Sequence, residues 1–277
     1  MSAVPVRARW RQKLAKLPLG VVLVLIFVLA AIFGPLVAPY DPAQIDLAHE
    51  YAAPSLAHPF GTGDNGTDVL SVLLHGARLA GTIGFIVVTL SVLIGTLSGA
   101  LAGYRGGAMD HAVTGVADLV QSFPAVVLNV AILAVVARPG VLHLVLALVS
   151  NGWVIYARVA RGQTLAIRER EYIQAARALG MSDTRILLRH VLPNLGGPLV
   201  IQATSGLGAA ILAESTLSFL GLGPGKAASW GSLLDQGSSV LLRFPHVALF
   251  AGGTIALTVL GFNLAGDWLR DRLDPKG

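Results

Sequence analysis

The chain has 277 residues, 54% of them hydrophobic and only 13% charged, with a formal net charge of +5 and no cysteine. Soluble domains carry about 25% charged residues. A single soluble core is therefore disfavoured, and a disordered chain, disulfides, thiolate metal sites and cysteine nucleophiles are excluded. The basic balance would suit nucleic acid, but the charges sit in patches between long apolar blocks, and four Trp and five Tyr offer little stacking surface. The composition predicts an all-α, polytopic integral membrane protein with lipid around it and no nucleic-acid partner.

A transmembrane helix needs about 20 mostly apolar residues to cross about 30 Å of hydrocarbon. Six stretches qualify. The first, 17–38, follows a basic N-terminal arm at 1–16 that holds Arg7, Arg9, Arg11, Lys13 and Lys16. Its apolar run exceeds the roughly 7–15 residues of a secretory signal, and Pro39 is a poor neighbour for cleavage, so it reads as an uncleaved anchor. A loop at 39–77, rich in Pro, Asp and Gly, leads into a five-helix core at 78–266. Within that core the second span is 79–103, the third 111–136 and the fourth 141–156, the last two joined by the Arg138-Pro139-Gly140 turn. The fifth span is 195–217 and the sixth 246–266, with a loop at 218–245 between them and a short tail at 267–277.

Basic residues orient the array. No Lys or Arg occurs between Lys16 and Arg78, while the 39–77 loop holds Asp41, Asp46, Glu50, Asp64 and Asp68. With both termini in the cytoplasm, sixteen of the twenty basic residues fall inside and four (Arg78, Arg138, Lys226 and Arg243) outside. The loops at 39–77 and 218–245 are then external.

One large cytoplasmic segment remains, at 157–194. At helical spacing Ile167, Tyr172, Ala175, Ala176 and Leu179 share a face, with Arg168, Arg170 and Arg177 elsewhere. Gly180 is a natural stop, because glycine enters the left-handed region freely. Ser182 or Asp183 can cap a second short helix at 184–191, and Pro193 should break the run before span five. From these residues alone, two readings stand: an amphipathic loop holding anionic lipid through its arginines, or a docking loop for a partner subunit.

Gln174-Ala175-Ala176, three residues, Gly180, nine residues, then His190-Val191-Leu192-Pro193 resembles the EAA loop of bacterial ABC importer permeases, E-A-A-x3-G-x9-I-x-L-P. Four further blocks resemble the dipeptide/oligopeptide/nickel branch in its second, C-type permease. They are His58-Pro59-Phe60-Gly61-Thr62 with Gly66, Asp68 and Leu70; Ala102-Gly103-Tyr104-Arg105-Gly106-Gly107 with Asp110; Glu214-Ser215 through Ser229-Trp230-Gly231; and Asn263-Leu264-Ala265-Gly266-Asp267 through Pro275. Departures from the pattern are Gln174 for Glu, His190 for Ile, and Gly63 and Thr67 for Asp and Arg.

The resemblance implies half of a pore in a bacterial or archaeal inner membrane. A homologous second permease would complete it, two cytoplasmic ATPase subunits would dock on the EAA loops, and an extracytoplasmic binding protein would deliver cargo. Peptides are the implied cargo, with nickel or glutathione as alternatives; a self-sufficient secondary transporter or a membrane-anchored scaffold are rival classes. Gln174, Ala175, Ala176, Gly180 and Asp183 would lie at the ATPase contact, with Arg177 as an ion-pair donor and Leu192 and Pro193 closing the loop. No catalytic residue and no cofactor are implied for this chain, ATP and Mg belonging to the partner subunits.

Other features read two ways. Gly95, Gly99 and Gly103 form a small-xxx-small seam, either within the subunit or toward the partner permease. Pro124 should kink span three, bending it locally or shaping the pore. Asp118 and Glu214 lie in or near spans, where a charge costs about 3 kcal/mol; both are pore or gate candidates, both also admit a structural reading, and for Glu214 that reading, a brace at the external end, is the stronger. Gly225-Lys226 is followed by Ala227 where a Walker A motif needs Ser or Thr. The seven His are scattered, so no metal cluster is expected.

Overall fold

A computed structural model describes residues 18–225 and 227–273, which are helices joined by turns, bends and irregular loops, with one isolated β-bridge, Thr62 to Asp68. The basic arm at 1–16, Lys226 and the end of the last motif, from Asp274, lie outside the described residues. Helix α1 is Leu19–Val37 and α2 is Val69–Arg105. Two short helices, α3 (Gly107–Gln121) and α4 (Ala125–Ala134), precede α5, Val141–Arg168. The segment that follows holds α6 (Glu171–Ala178) and α7 (Asp183–Ile186), then α8 (Gly196–Phe219). Helices α9 (Trp230–Ser239) and α10 (Pro245–Leu273) complete the chain.

Five segments are each long and apolar enough to cross a membrane: α1, α2, α5, the run Asp183–Phe219 and α10. A sixth crossing is made only if α3 and α4 serve together, and they are bent by 82°. The expected third span is therefore two helices broken apart just before Ala125, not one helix with a kink. Pro124 sits at the N-cap of α4, not inside a helix. Its ring disfavours α geometry at Phe123, and it cannot donate the hydrogen bond that would continue α3.

Helix α2, 37 residues and so about 55 Å long, is the spine of the bundle. On one side it lies against α5 through the glycine seam. A Cβ on Gly95, Gly99 or Gly103 would collide with the α5 backbone at Trp153, Ala157 and Arg161 respectively. The seam thus closes inside the subunit, which leaves it no role at a partner. On its other side α2 meets α1, which buries one residue every two turns: Gly20, Phe27 and Gly34. Gly20 abuts the backbone of Leu264 and Ala265 on α10, and Gly34 that of Leu74 on α2. Between them Phe27 packs edge-on to Trp230 and Phe262, with centroids 5.9 and 5.5 Å away. The rest of α1 is largely exposed and apolar, as a lipid-facing helix requires.

The segment between α1 and α2 is folded against the bundle. Asp68 caps α2, accepting from the Ser71 amide at 2.8 Å and hydroxyl at 2.7 Å, and its other carboxylate oxygen meets the His58 ring at 2.9 Å. Gly61 and Gly66 have φ of +75° and +71°, so the turns there demand glycine. The Thr62 carbonyl pairs with His246 at 3.0 Å, and Tyr51 on Phe244 and Phe60 on Phe250 stack at 4.8 and 4.2 Å, which ties the segment to the start of α10.

Candidate functional site

Helices α6 and α7 form at the end of the bundle where α2 and α5 finish. Helix α5 stops at Arg168, and Arg170, in extended geometry, starts α6 afresh. That interruption resets the helical phase. The buried residues are Ile167, Ile173, Ala176 and Ile186, whereas Tyr172, Ala175 and Leu179 face outward. The face expected from uninterrupted spacing is therefore corrected on three of its members. Leu179, which spacing alone assigned to the inner face, is 88% exposed.

The turn after α6 is a Schellman motif. The Met181 amide donates to the Ala176 carbonyl at 3.0 Å, the Gly180 amide donates to the Arg177 carbonyl at 2.9 Å, and Gly180 has φ +79°. Beyond it, α7 runs into a π-helical turn, Leu187–Val191, and a 3-10 turn, Leu192–Leu195, that passes without a break into α8. Pro193 does not end the run as expected. Its missing N–H falls in the first turn of the 3-10 segment, and the wider preceding turn, in which the Leu192 amide reaches back to Leu187, absorbs its ring.

The candidate contact residues divide. Gln174, Ala175, Arg177 and Gly180 are exposed at the turn, as is Pro193, while Leu192 is half-buried. Ala176 is buried inside this chain, so its side chain is not at any outer contact. Gln174 donates from Nε2 to the Glu169 carbonyl at the end of α5, 3.2 Å away. A glutamate there has no proton to give and would face the negative end of a helix dipole.

Asp183 is not free either: its Oδ1 accepts the Tyr104 hydroxyl at 2.8 Å. The Arg177 guanidinium lies over the same Tyr104 ring, 5.1 Å from its centroid. The Tyr104 hydroxyl holds the Arg177 pKa above the ordinary arginine value, with Asp183 and Glu169 adding to it against a smaller effect of burial, so Arg177 stays cationic. In the sequence Tyr104 is marked only as the lone aromatic among the glycines of the Ala102–Gly107 block, a signal that names no partner.

Two arginines of α5 hold α3. Arg161 binds Asp110 as a fork, Nε to Oδ1 at 2.5 Å and Nη2 to Oδ2 at 2.7 Å, and Arg158 reaches Asp118 at 2.8 Å. Asp118, a gate candidate, is thus an ion-pair partner on a side chain 70% exposed. Farther along, Asn151 on α5 donates to buried Asn129 on α4 at 2.6 Å.

Glu214 is 1% exposed. It accepts from Ser218 at 2.7 Å and from Ser229, at the N-cap of α9, at 3.2 Å, which makes it a brace between α8 and α9 and leaves none of it open to a path through the membrane. Thermal unfolding in detergent should show Glu214→Ala destabilised by about 3 kcal/mol, because the seryl hydroxyls lose their acceptor, and Glu214→Gln by only about 1 kcal/mol. Equal losses in the two would mean that charge, not acceptor geometry, is what the brace needs.

A bundle of apolar helices with a protruding, internally fastened glycine turn is the build of a transport permease. The chain belongs to the family of binding-protein-dependent transport system inner membrane components, which matches residues 92–276, and residues 11–54 match the N-terminal TM domain of oligopeptide transport permease C. It is a multi-pass inner-membrane protein and a pore component, not a catalyst.

Among its relatives, the dipeptide transport system permease protein of Alkalihalophilus pseudofirmus is 37% identical over 274 residues, covering 96% of this chain and 90% of the relative. The oligopeptide transport system permease protein of Bacillus subtilis is 37% identical over 258 residues, covering 93% and 84%. The MetNI methionine ABC transporter in an inward-facing conformation shares the fold, with a TM-score of 0.60 at 19% identity over 73% of this chain and 96% of that one.

Proposed function

We propose that this chain is one of two permease subunits forming the pore of an ATP-driven importer for di- and oligopeptides, with both of its ends in the cytoplasm. The turn at Gln174 to Asp183 docks an ATPase subunit, and an extracytoplasmic binding protein presents the cargo. ATP and Mg are bound by the ATPases; this chain contributes no cofactor site. Relatives in dipeptide, oligopeptide and glutathione transport systems support a short-peptide cargo.

One observation carries the docking assignment. The turn exposes Ala175, Leu179 and Gly180 beyond the bundle while Ile173, Ala176 and Ile186 are buried behind it. An apolar side chain as exposed as Leu179 on a rigid turn suits a protein groove, and small neighbours let a partner backbone approach closely.

The test is reconstitution of the chain with its second permease, ATPases and binding protein in liposomes, supplied with a radiolabelled series of short alanine peptides. Uptake should require ATP and every partner. Accumulation by this chain alone would overturn the assignment in favour of a self-sufficient transporter.

A further inference from the structure

We propose that Tyr104 is a positioning residue that carries movement of the cytoplasmic turn into α2, giving the turn a third attachment besides its covalent links to α5 and α8. The inference rests on the docking role proposed above and extends it to coupling, by giving the route by which force leaves the turn.

Three observations support it. First, Tyr104 lies in the last turn of α2 and is only 6% exposed, yet its hydroxyl and its ring face are both engaged by the turn. Asp183 opens α7 and Arg177 lies in the last turn of α6, so one phenol clasps both arms across Gly180. Second, α2 cannot slip against α5 at this point. Gly99 and Gly103 lie against the α5 backbone, and Arg168 donates from Nη1 to the Gly103 carbonyl at 2.9 Å, one residue from the clasp. Third, α2 is a continuous helix from Arg105 back to Val69, and its far end is fastened as well. Trp230 donates to the Leu73 carbonyl at 2.8 Å, and Asp68 joins the cap to His58.

A helix held at both ends moves as a rod. Displacement of the turn at one face of the bundle therefore reaches the folded 39–68 segment at the other, about 55 Å away along 37 residues.

The test uses the complete reconstituted complex with Tyr104→Phe, which keeps the ring under Arg177 and removes the hydroxyl that donates to Asp183 and supports the Arg177 charge. ATPase co-purification and ATP hydrolysis should stay within about twofold of wild type, while alanine peptide moved per ATP should fall about tenfold, the scale of one hydrogen bond to a charged acceptor.

Hydrogen exchange on the full chain in lipid nanodiscs reads the clasp without transport: amides at 181–186 should exchange about tenfold faster in Tyr104→Phe. Unchanged exchange, or wild-type peptide moved per ATP, would overturn the proposal. Equal falls in hydrolysis and uptake would also overturn it, by making Tyr104 a docking determinant. If the wild-type complex itself shows no ATP-driven uptake, the coupling role fails, and the exchange result still decides whether the clasp holds.

Discussion

Gly180→Val should abolish ATP-driven uptake while leaving the protein in the membrane at normal yield. The reason is conformational. Gly180 has φ +79°, and a Cβ built there meets nothing within 4 Å, so no clash is involved. A β-branched residue resists this left-handed geometry by about 1–2 kcal/mol or more. The Schellman hydrogen bonds close only in that geometry. Forced out of it, the chain would open the angle between α6 and α7, withdraw Leu179 from its presented position and pull Asp183 off Tyr104. Asparagine tolerates the left-handed region, so Gly180→Asn should retain much of the uptake. Comparing the two in proteoliposomes, with membrane insertion checked by fractionation, separates backbone geometry from side-chain bulk. If valine and asparagine fail alike, the turn is instead limited by space for the partner.

Asp110→Ala should loosen α3 from the bundle and reduce both stability and uptake. Helix α3 buries only Ala117 among its fifteen residues, so hydrophobic contact holds it weakly within this chain. Its polar ties are the Asp110–Arg161 fork and the Asp118–Arg158 pair. The two are unequal. Arg158 and Asp118 are mostly exposed, where an ion pair contributes about 0–1 kcal/mol. Asp110 is 17% exposed and paired at two points. Removing it strands the Arg161 guanidinium in a partly desolvated place, a loss of about 2 kcal/mol once solvent screening is allowed for. Differential scanning fluorimetry should show Asp110→Ala clearly destabilised and Asp118→Ala nearly unchanged. The swapped pair, Asp110→Arg with Arg161→Asp, should recover most of the loss. No recovery would mean that the fork matters for its shape or for another neighbour rather than for charge.

Much of this was legible because it is local. Length and apolarity of a segment fix whether it can cross a membrane, and the spans expected at 17–38, 79–103 and 246–266 overlap α1, α2 and α10, although α2 begins ten residues earlier, at Val69, inside the expected loop, and α10 runs on to Leu273. The Gly180 turn was equally local, since its hydrogen bonds join residues only a few positions apart. The EAA pattern and the Ala102–Gly107 block pointed to the family without any structure.

Other features escaped because they depend on neighbours distant in the chain or on phase. The clasp joins Tyr104 to a residue 79 positions away. The inward face of α6 was misjudged because one extended residue, Arg170, shifts every later side chain around the axis. Pro124 signalled a bend, but whether a proline kinks a helix or splits it depends on what packs around it.

The sequence by itself determined that this is an all-helical membrane protein, where its main spans lie and where its glycine turn falls, because hydrophobicity and backbone freedom are properties of short stretches. Only the tertiary structure decided that the glycine seam closes on α5, that Glu214 braces α8 to α9 and that Asp183 is held by Tyr104. A small or polar side chain states what contact it can make, and the packing of helices far apart in the chain states with which partner.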